Sequence, residues 1–440
     1  MLRSVLGRMS GLLLIWSTFL WTAAAEEPPQ GKQASSQSDP SSQSFPSGAK
    51  SLAEDSFRNS RRRFGFSIGV YETYESNVYY RSAQQTRAFA TAFFPRIFLN
   101  LGRRDTRFNL DYGFGYSIYQ NNRSLDANQH YANATLDLQL SRKVALLFSD
   151  QFASSPYGYG STFGSVLSPS YSVPSAMLGP TYSTPVVSSE VFVDRQRIIR
   201  NLATASLNVR PTRKLGIGFF FSHQAYAFKS TNQGDINGFH TGATLDFQIT
   251  RWLSLYNTYS TYFNSVDERY RDARIHRIQV GGLNFRLSRG WQATASGGVE
   301  YTNYFGRKYW TGNAAGALMW HSERNIFGVN YNRGLFSAIG LYTVMQSQQG
   351  TVNFGSRLTP WMNLQLAAIY VRSANYGRSG QLEYYLAHSG LEFAVRNDLI
   401  FSVNGMLMDQ RAQNLGSLAQ NRKAYVAHVG LQYLYPAGRR

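Results

Sequence analysis

From Phe64 onward, apolar and polar residues alternate with a period of two along most of the chain. Between Phe108 and Ile118 one phase reads Phe108, Leu110, Tyr112, Phe114, Tyr116, Ile118, and the other reads Asn109, Asp111, Gly113, Gly115, Ser117. That is the signature of a strand with one apolar face and one polar or small face. The same division recurs in Leu215/Ile217/Phe219/Phe221 against Gly216/Gly218/Ser222, and in Leu245/Phe247/Ile249 against Asp246/Gln248. Eighteen such segments fit the pattern, from 64–74 to 423–435.

The connections alternate too. Short ones follow even-numbered segments: Arg103-Arg104-Asp105, Ser141-Arg142-Lys143, Thr250-Arg251-Trp252, Ser288-Arg289-Gly290, Arg396-Asn397-Asp398. Long ones follow odd-numbered segments, up to the stretch from Ser154 to Glu190. A soluble sandwich has no reason to make its two ends differ in this way. A transmembrane barrel does, with short turns on the periplasmic side and longer loops outside. The expected fold is all-β: a transmembrane antiparallel barrel of about 18 strands (16–18) occupying residues 64–440 as one domain. Gly, Ser, Thr and Asn recur in the inward phase, as a water-filled lumen requires, and barrels of 16–18 strands leave such a channel.

Two irregularities predict bulges. Pro95 interrupts a strong strand in a sheet with no free edge. At Gly281-Gly282 the apolar phase switches from Ile278/Val280 to Leu283/Phe285.

Residues 1–25 combine Arg3 and Arg8, an apolar run from Leu12 to Trp21, and Ala23-Ala24-Ala25. This order of basic, apolar and small residues predicts a cleaved signal peptide, since the run is short of the ~20 residues a membrane-spanning helix needs. Residues 26–63, rich in Ser, Gln and Pro, are expected to form a disordered periplasmic leader.

Composition narrows the chemistry. The chain has no cysteine, which excludes disulfides, thiolate metal sites and thiol catalysis. Its formal charge of +19 would ordinarily suggest nucleic acid, but only 16% of residues are charged while 29 Tyr and 29 Phe are present. Much of the surplus falls at the short turns, on Arg103, Arg104, Arg142, Lys143, Arg213, Lys214, Arg251 and Arg289. These predict a periplasmic basic rim facing anionic headgroups, and no nucleic-acid partner. Trp252, Trp291, Trp320 and Trp361 stand beside the same turns, as an interfacial aromatic girdle would.

No catalytic set emerges. Gly65-Phe66-Ser67-Ile68-Gly69 matches the G-x-S-x-G pattern, but it lies within an alternating strand rather than at a strand-to-helix elbow. The seven histidines show no metal-ligand spacing, so neither a metal nor a cofactor is expected, and the chain is not read as an enzyme. His388 and Glu392 share a phase without forming a metal set. Charged residues in the inward phase are the candidates for lining a pore: Arg96, Asp111, Asp137, His240, Asp246 and Glu300. A turn centred near 103–104 would set Arg96 opposite Asp111, with Asp137 on the next strand. Such charges either form a constriction that filters solutes or neutralise one another as wall residues. The 154–190 loop either enters the lumen or caps the outside, and its tyrosines are candidates for stacking on sugar rings.

The stretch Phe66-Ser67-Ile68-Gly69-Val70-Tyr71-Glu72-Thr73-Tyr74 with Asn77-Val78 resembles the opening hairpin of the outer-membrane β-barrel porin family associated with exopolysaccharide export clusters. Pro95-Arg96-Ile97, Leu101-Gly102-Arg103-Arg104 and Leu110-Asp111-Tyr112 are similar to that family's next two strands. Members often carry Asp before the asparagine, where this chain has Ser76. The resemblance implies an outer-membrane channel or accessory barrel whose partners are outer-membrane lipid and polysaccharide or its export machinery; it transfers no catalytic residues.

The leading expectation is a porin-like channel in the bacterial outer membrane that passes polar solutes or polysaccharide. A non-conducting accessory or adhesion barrel is the alternative, and an outer-membrane hydrolase the third. The sequence leaves the oligomeric state open.

Overall fold

A computed structural model describes residues 64–79, 86–103, 105–155, 197–228, 235–266, 273–286, 290–304, 307–338, 343–375, 380–414 and 421–435. All of them belong to the compact unit Ser35–Arg440. The expected signal peptide, the leader and nearly all of the 154–190 loop lie outside the described residues.

Eighteen antiparallel strands form one sheet in which each strand pairs with its sequence neighbours, and β1 pairs with β18. The ring is therefore closed. In order the strands are β1 Phe64–Glu75, β2 Ala88–Arg103, β3 Thr106–Tyr119, β4 Ala127–Ser141, β5 Val144–Ser155 and β6 Ile198–Val209. They continue with β7 Leu215–Phe228, β8 Ile236–Gln248, β9 Leu253–Val266, β10 Ala273–Arg286, β11 Trp291–Tyr304 and β12 Arg307–His321. The last six are β13 Asn325–Ala338, β14 Thr343–Thr359, β15 Met362–Asn375, β16 Gln381–Ala394, β17 Leu399–Gln413 and β18 Arg422–Tyr435.

The two phases of each strand differ in exposure. On β1, Ile68 and Val70 are exposed, whereas Ser67, Thr73 and Glu75 are buried. On β18, Tyr425, Val429, Leu431, Tyr433 and Tyr435 are exposed, while Ala424, Val426 and His428 are buried. Side chains splay apart on the convex face of a cylinder and crowd together on the concave one. The exposed apolar phase is therefore outer and the buried, mostly polar phase inner. This inverts the arrangement of a soluble domain.

Inner-face glycines make room for rings. A Cβ on Gly113 would collide with the Tyr131 ring from β4, and one on Gly430 would collide with the Tyr71 ring from β1. What reads in sequence as a small, hydrophilic phase is partly a row of seats for aromatic rings.

The register corrects three expectations. Arg103 pairs with Thr106, so the first short turn is centred one residue later than residues 103–104 imply. Pro95 causes no bulge. It pairs in register with Ile68 on one side, and on the other the ladder skips Phe94 and Pro95 but resumes with unchanged register. A missing N–H costs one rung here, not an extra residue. The connection between β11 and β12 is not long, because both strands extend until only residues 305–306 separate them. The bulge at Gly281-Gly282 is present: register shifts between Val280 and Leu283 against β11 and between Gln279 and Gly282 against β9.

Candidate functional site

The space inside the ring is the candidate site, and four features shape it. The first is the Arg96–Asp111 pair. Arg96 has Gly113 as its Cα partner and Asp111 has Phe98, so the two charges lie diagonally rather than directly opposite. The longer guanidinium spans the offset: Arg96 Nε donates to Asp111 Oδ1 at 2.7 Å and Nη2 donates to Oδ2. Tyr131 Oη adds a third hydrogen bond to Asp111 Oδ1 at 3.0 Å, and the Arg96 guanidinium lies 4.3 Å from the centre of the Phe98 ring. Both residues are about 3% exposed. A bidentate pair buried this deeply is held to the wall by its own partners.

Asp137 does not join it. The residue level with Asp111 on β4 is Asn133, and Asp137 pairs with Arg107 and Leu147 nearer the turns. His240 packs the edge of its ring on Phe220 at 4.9 Å and also meets Tyr262. Asp246 lies between Gly216 and Tyr256 on the same inner face of β8. The six charged candidates thus share a face without converging on one point. Ser67 is fully buried in β1 and accepts a hydrogen bond from Gln432 at 3.0 Å, as a wall residue would. Among the described residues no group of His, Asp or Glu is placed to hold a metal ion.

The second feature is apolar and was not anticipated. Toward the end of the long loops, the inner faces of β15–β18, β2 and β3 carry Ile369, Val371, Leu386, Met406, Met408, Val426, Ala88 and Tyr119 as one buried cluster. Val78 after β1 and Leu125 before β4 pack onto it from the connections, and Leu125 belongs to a short 3-10 turn capped by Asn122. Apolar side chains pack this sector against one another. The inward phase, read in sequence as rich in Gly, Ser, Thr and Asn, is therefore apolar at the loop end of these strands.

The third feature is an inward-leaning hairpin. β12 and β13 pair from Ala314↔Arg333 to His321↔Ile326 and then separate, whereas β13 and β14 stay paired up to Ala338↔Thr343. Past the split, outer-phase residues of that hairpin meet the inner faces of β9–β12. Leu335 and Val344 pack with Ile275 and Tyr262. Glu300 accepts the backbone N–H of Leu335, and Gln346 Nε2 donates to Thr311 Oγ1 at 2.8 Å. The loop-end half of the β13–β14 hairpin therefore lies inside the wall built by β9–β12 and covers Glu300, which is completely buried. One signal for this was available. Gln346-Ser347-Gln348-Gln349 is polar in both phases, which suits a strand whose outer side meets polar inner-face groups such as Thr311.

The fourth feature is the difference between the two ends. Trp252, Trp291 and Trp361 are exposed beside the short turns, Trp291 and Trp320 face each other at 6.1 Å, and Trp361 stacks near Phe393. Arg142, Lys143, Arg213, Lys214 and Arg251 are exposed at that end, with Lys143 Nζ donating to the Pro211 carbonyl at 2.9 Å. The Arg103 side chain, Arg104 and Arg289 lie outside the described residues. At the opposite end Trp310 is 63% exposed and packs against Tyr301 at 4.8 Å.

No known family pattern matches the chain, and no curated protein is similar to it in sequence. Among solved structures, the chain is similar to OccAB4 of Acinetobacter baumannii at 11% identity, with TM-score 0.43 over 86% of this chain and 99% of that one. It is similar to OpdQ of Pseudomonas aeruginosa at 10% identity, with TM-score 0.42 over 87% and 98%. The outer membrane protein opdK of Pseudomonas aeruginosa gives 9% identity and TM-score 0.43 over 84% and 99%.

Proposed function

We propose that this chain is a bacterial outer-membrane channel for polar solutes, with a mouth narrowed by the β13–β14 hairpin. The observation that carries the reading is a closed eighteen-stranded ring that turns large apolar side chains outward and polar ones inward. A closed barrel satisfies every backbone group without water, which makes it one of two solutions open to a chain in hydrocarbon. The Trp residues and exposed basic residues at the short-turn end fit an interface and a periplasmic rim.

Within this reading the six charged candidates divide. Arg96 and Asp111 brace the wall, and Glu300 latches the hairpin. Asp137, His240 and Asp246, on β4 and β8, line the part of the lumen that the apolar cluster does not occupy, and they filter solutes there. Ser67 is structural and the chain is not a hydrolase. Residues 1–25 direct export and 26–63 form a periplasmic leader. Polysaccharide as a cargo rests on the family resemblance of the first three strands alone.

The second reading, a non-conducting accessory barrel, draws on the apolar cluster and the hairpin together, since both fill the mouth. Swelling of liposomes reconstituted with the purified protein separates the two. Entry of small uncharged solutes at a rate that rises with protein content supports the channel. No entry, both for the native chain and for one with the hairpin tip shortened, supports the accessory barrel.

A further inference from the structure

The outer face of β4–β7 breaks the apolar pattern. Its hydrogen-bonded rows can be followed strand by strand, and one of them reads Leu110, Ala134, Asp150, Ala203, His223, Phe239 from β3 to β8. Phe219 and Phe221 share the outer phase of His223 and are exposed, which fixes the face of the whole row. An acid and an imidazole therefore stand on the outside of the barrel, one on each side of an alanine. One row nearer the loops, Asn201 donates to Asp150 Oδ1 at 2.7 Å, and Tyr112 Oη meets His130 Nδ1 at 2.9 Å on the same face. The His223 ring packs on Phe239 at 4.8 Å.

Height makes this patch unusual. Asp150 lies six residues beyond Val144, the first residue of β5. At ~3.3 Å per residue and a tilt of ~40°, it sits roughly 15 Å above the turn end, near the middle of an apolar band ~25 Å tall. Ionisable groups at such depth carry a penalty when they face hydrocarbon, and they are found facing protein or water.

We propose that this face packs against the same face of a second copy of the chain, about a two-fold axis along the membrane normal through Ala203. The inference rests on the membrane reading above and goes beyond it. Rotation by half a turn about that axis sets Ala203 against its counterpart and brings Asp150 toward the other copy's His223, and the reverse. The patch is thus complementary to itself, as an isologous contact requires. Strands are ~4.8 Å apart and tilted, so acid and imidazole differ in height by roughly 6 Å, a span two facing side chains can cover. Alanine at 134 and 203 lets the walls approach closely enough for those polar groups to meet.

The absence of native cysteine makes the test direct. Ala203→Cys is oxidised in lipid vesicles beside Val352→Cys, which lies on the exposed outer face of β14. Each sample is floated first to score membrane insertion. The expected result is a covalent dimer with Ala203→Cys, none with Val352→Cys, and loss of the Ala203→Cys dimer when Asp150→Leu is added. Ala205→Cys, two residues along β6 on the same outer face, with a short bis-maleimide as cross-linker, replaces Ala203→Cys if that variant does not fold. Protein that fails to float breaks the membrane reading. Protein that floats but stays monomeric, or cross-links equally at Val352, overturns the dimer. A floated monomer that retains lipid or lipopolysaccharide on this face also overturns it.

Discussion

The Glu300 carboxylate on β11 accepts the backbone N–H of Leu335 on β13, across a seam where the ladder between β12 and β13 has already ended. One side chain replaces the rung that the departing hairpin gives up. Removing it takes the carboxylate acceptor away from a buried N–H, at a cost of ~1–3 kcal/mol. Glu300→Ala is expected to free the hairpin and raise single-channel conductance, with added open-channel noise. Glu300→Gln, which keeps an acceptor, stays closer to the native trace. Equal conductance for the native and Glu300→Ala proteins would show that the hairpin does not narrow the path.

Arg96 and Asp111 are buried together, and removing one partner takes away the bidentate contact that compensates the other charge. Asp111→Ala and Arg96→Ala are each expected to lower stability by ~3–5 kcal/mol. Replacing both with leucine should cost less than either single change. The unfolding midpoint in urea, read on protein folded into vesicles, measures this. Additive losses would mean that the pair does not act as a unit.

Met408 is fully buried in the apolar cluster. Met408→Ala should cost ~2–5 kcal/mol, because the cavity it leaves lies among packed apolar side chains and not beside water. A loss within a few tenths of a kcal/mol would mean that this position borders water. The same urea titration decides the matter.

The exposed basic side chains at the short turns are proposed to act on the bilayer rather than on passing ions. Changing Arg142, Lys143, Arg213, Lys214 and Arg251 to glutamine is expected to slow insertion into anionic vesicles, with the difference shrinking as salt rises. The reversal potential of channels that do assemble should be unchanged. A shifted reversal potential with normal insertion would instead assign these charges to ion selection.

The period-two pattern is strict, and so most of the fold could be read from it. A one-residue slip would turn every exposed ring of β18 inward, which makes register and strand number legible together. The Gly281-Gly282 bulge was visible for the same reason, as a change of phase. Features that depend on what faces a residue were hidden. Ile369 and Met408 look like any apolar strand residues until neighbouring strands place them inside, against Val78 and Leu125. Leu335 and Val344 occupy the phase that faces outward elsewhere, and only the split of β12 from β13 turns them toward Ile275. Arg96 and Asp111 were legible as a pair because they are close in sequence across one short turn, although the side chains bridge a diagonal. The contact between Glu300 and Leu335, on strands whose ladder has parted, leaves no mark in the local pattern.

Planar-bilayer recording of the purified protein tests the central claim most directly. The channel reading predicts stepwise, ohmic conductance increments that grow when the β13–β14 hairpin is shortened or the 154–190 segment is deleted. Silence from the native protein and from both shortened forms, in samples shown to be inserted, would contradict it.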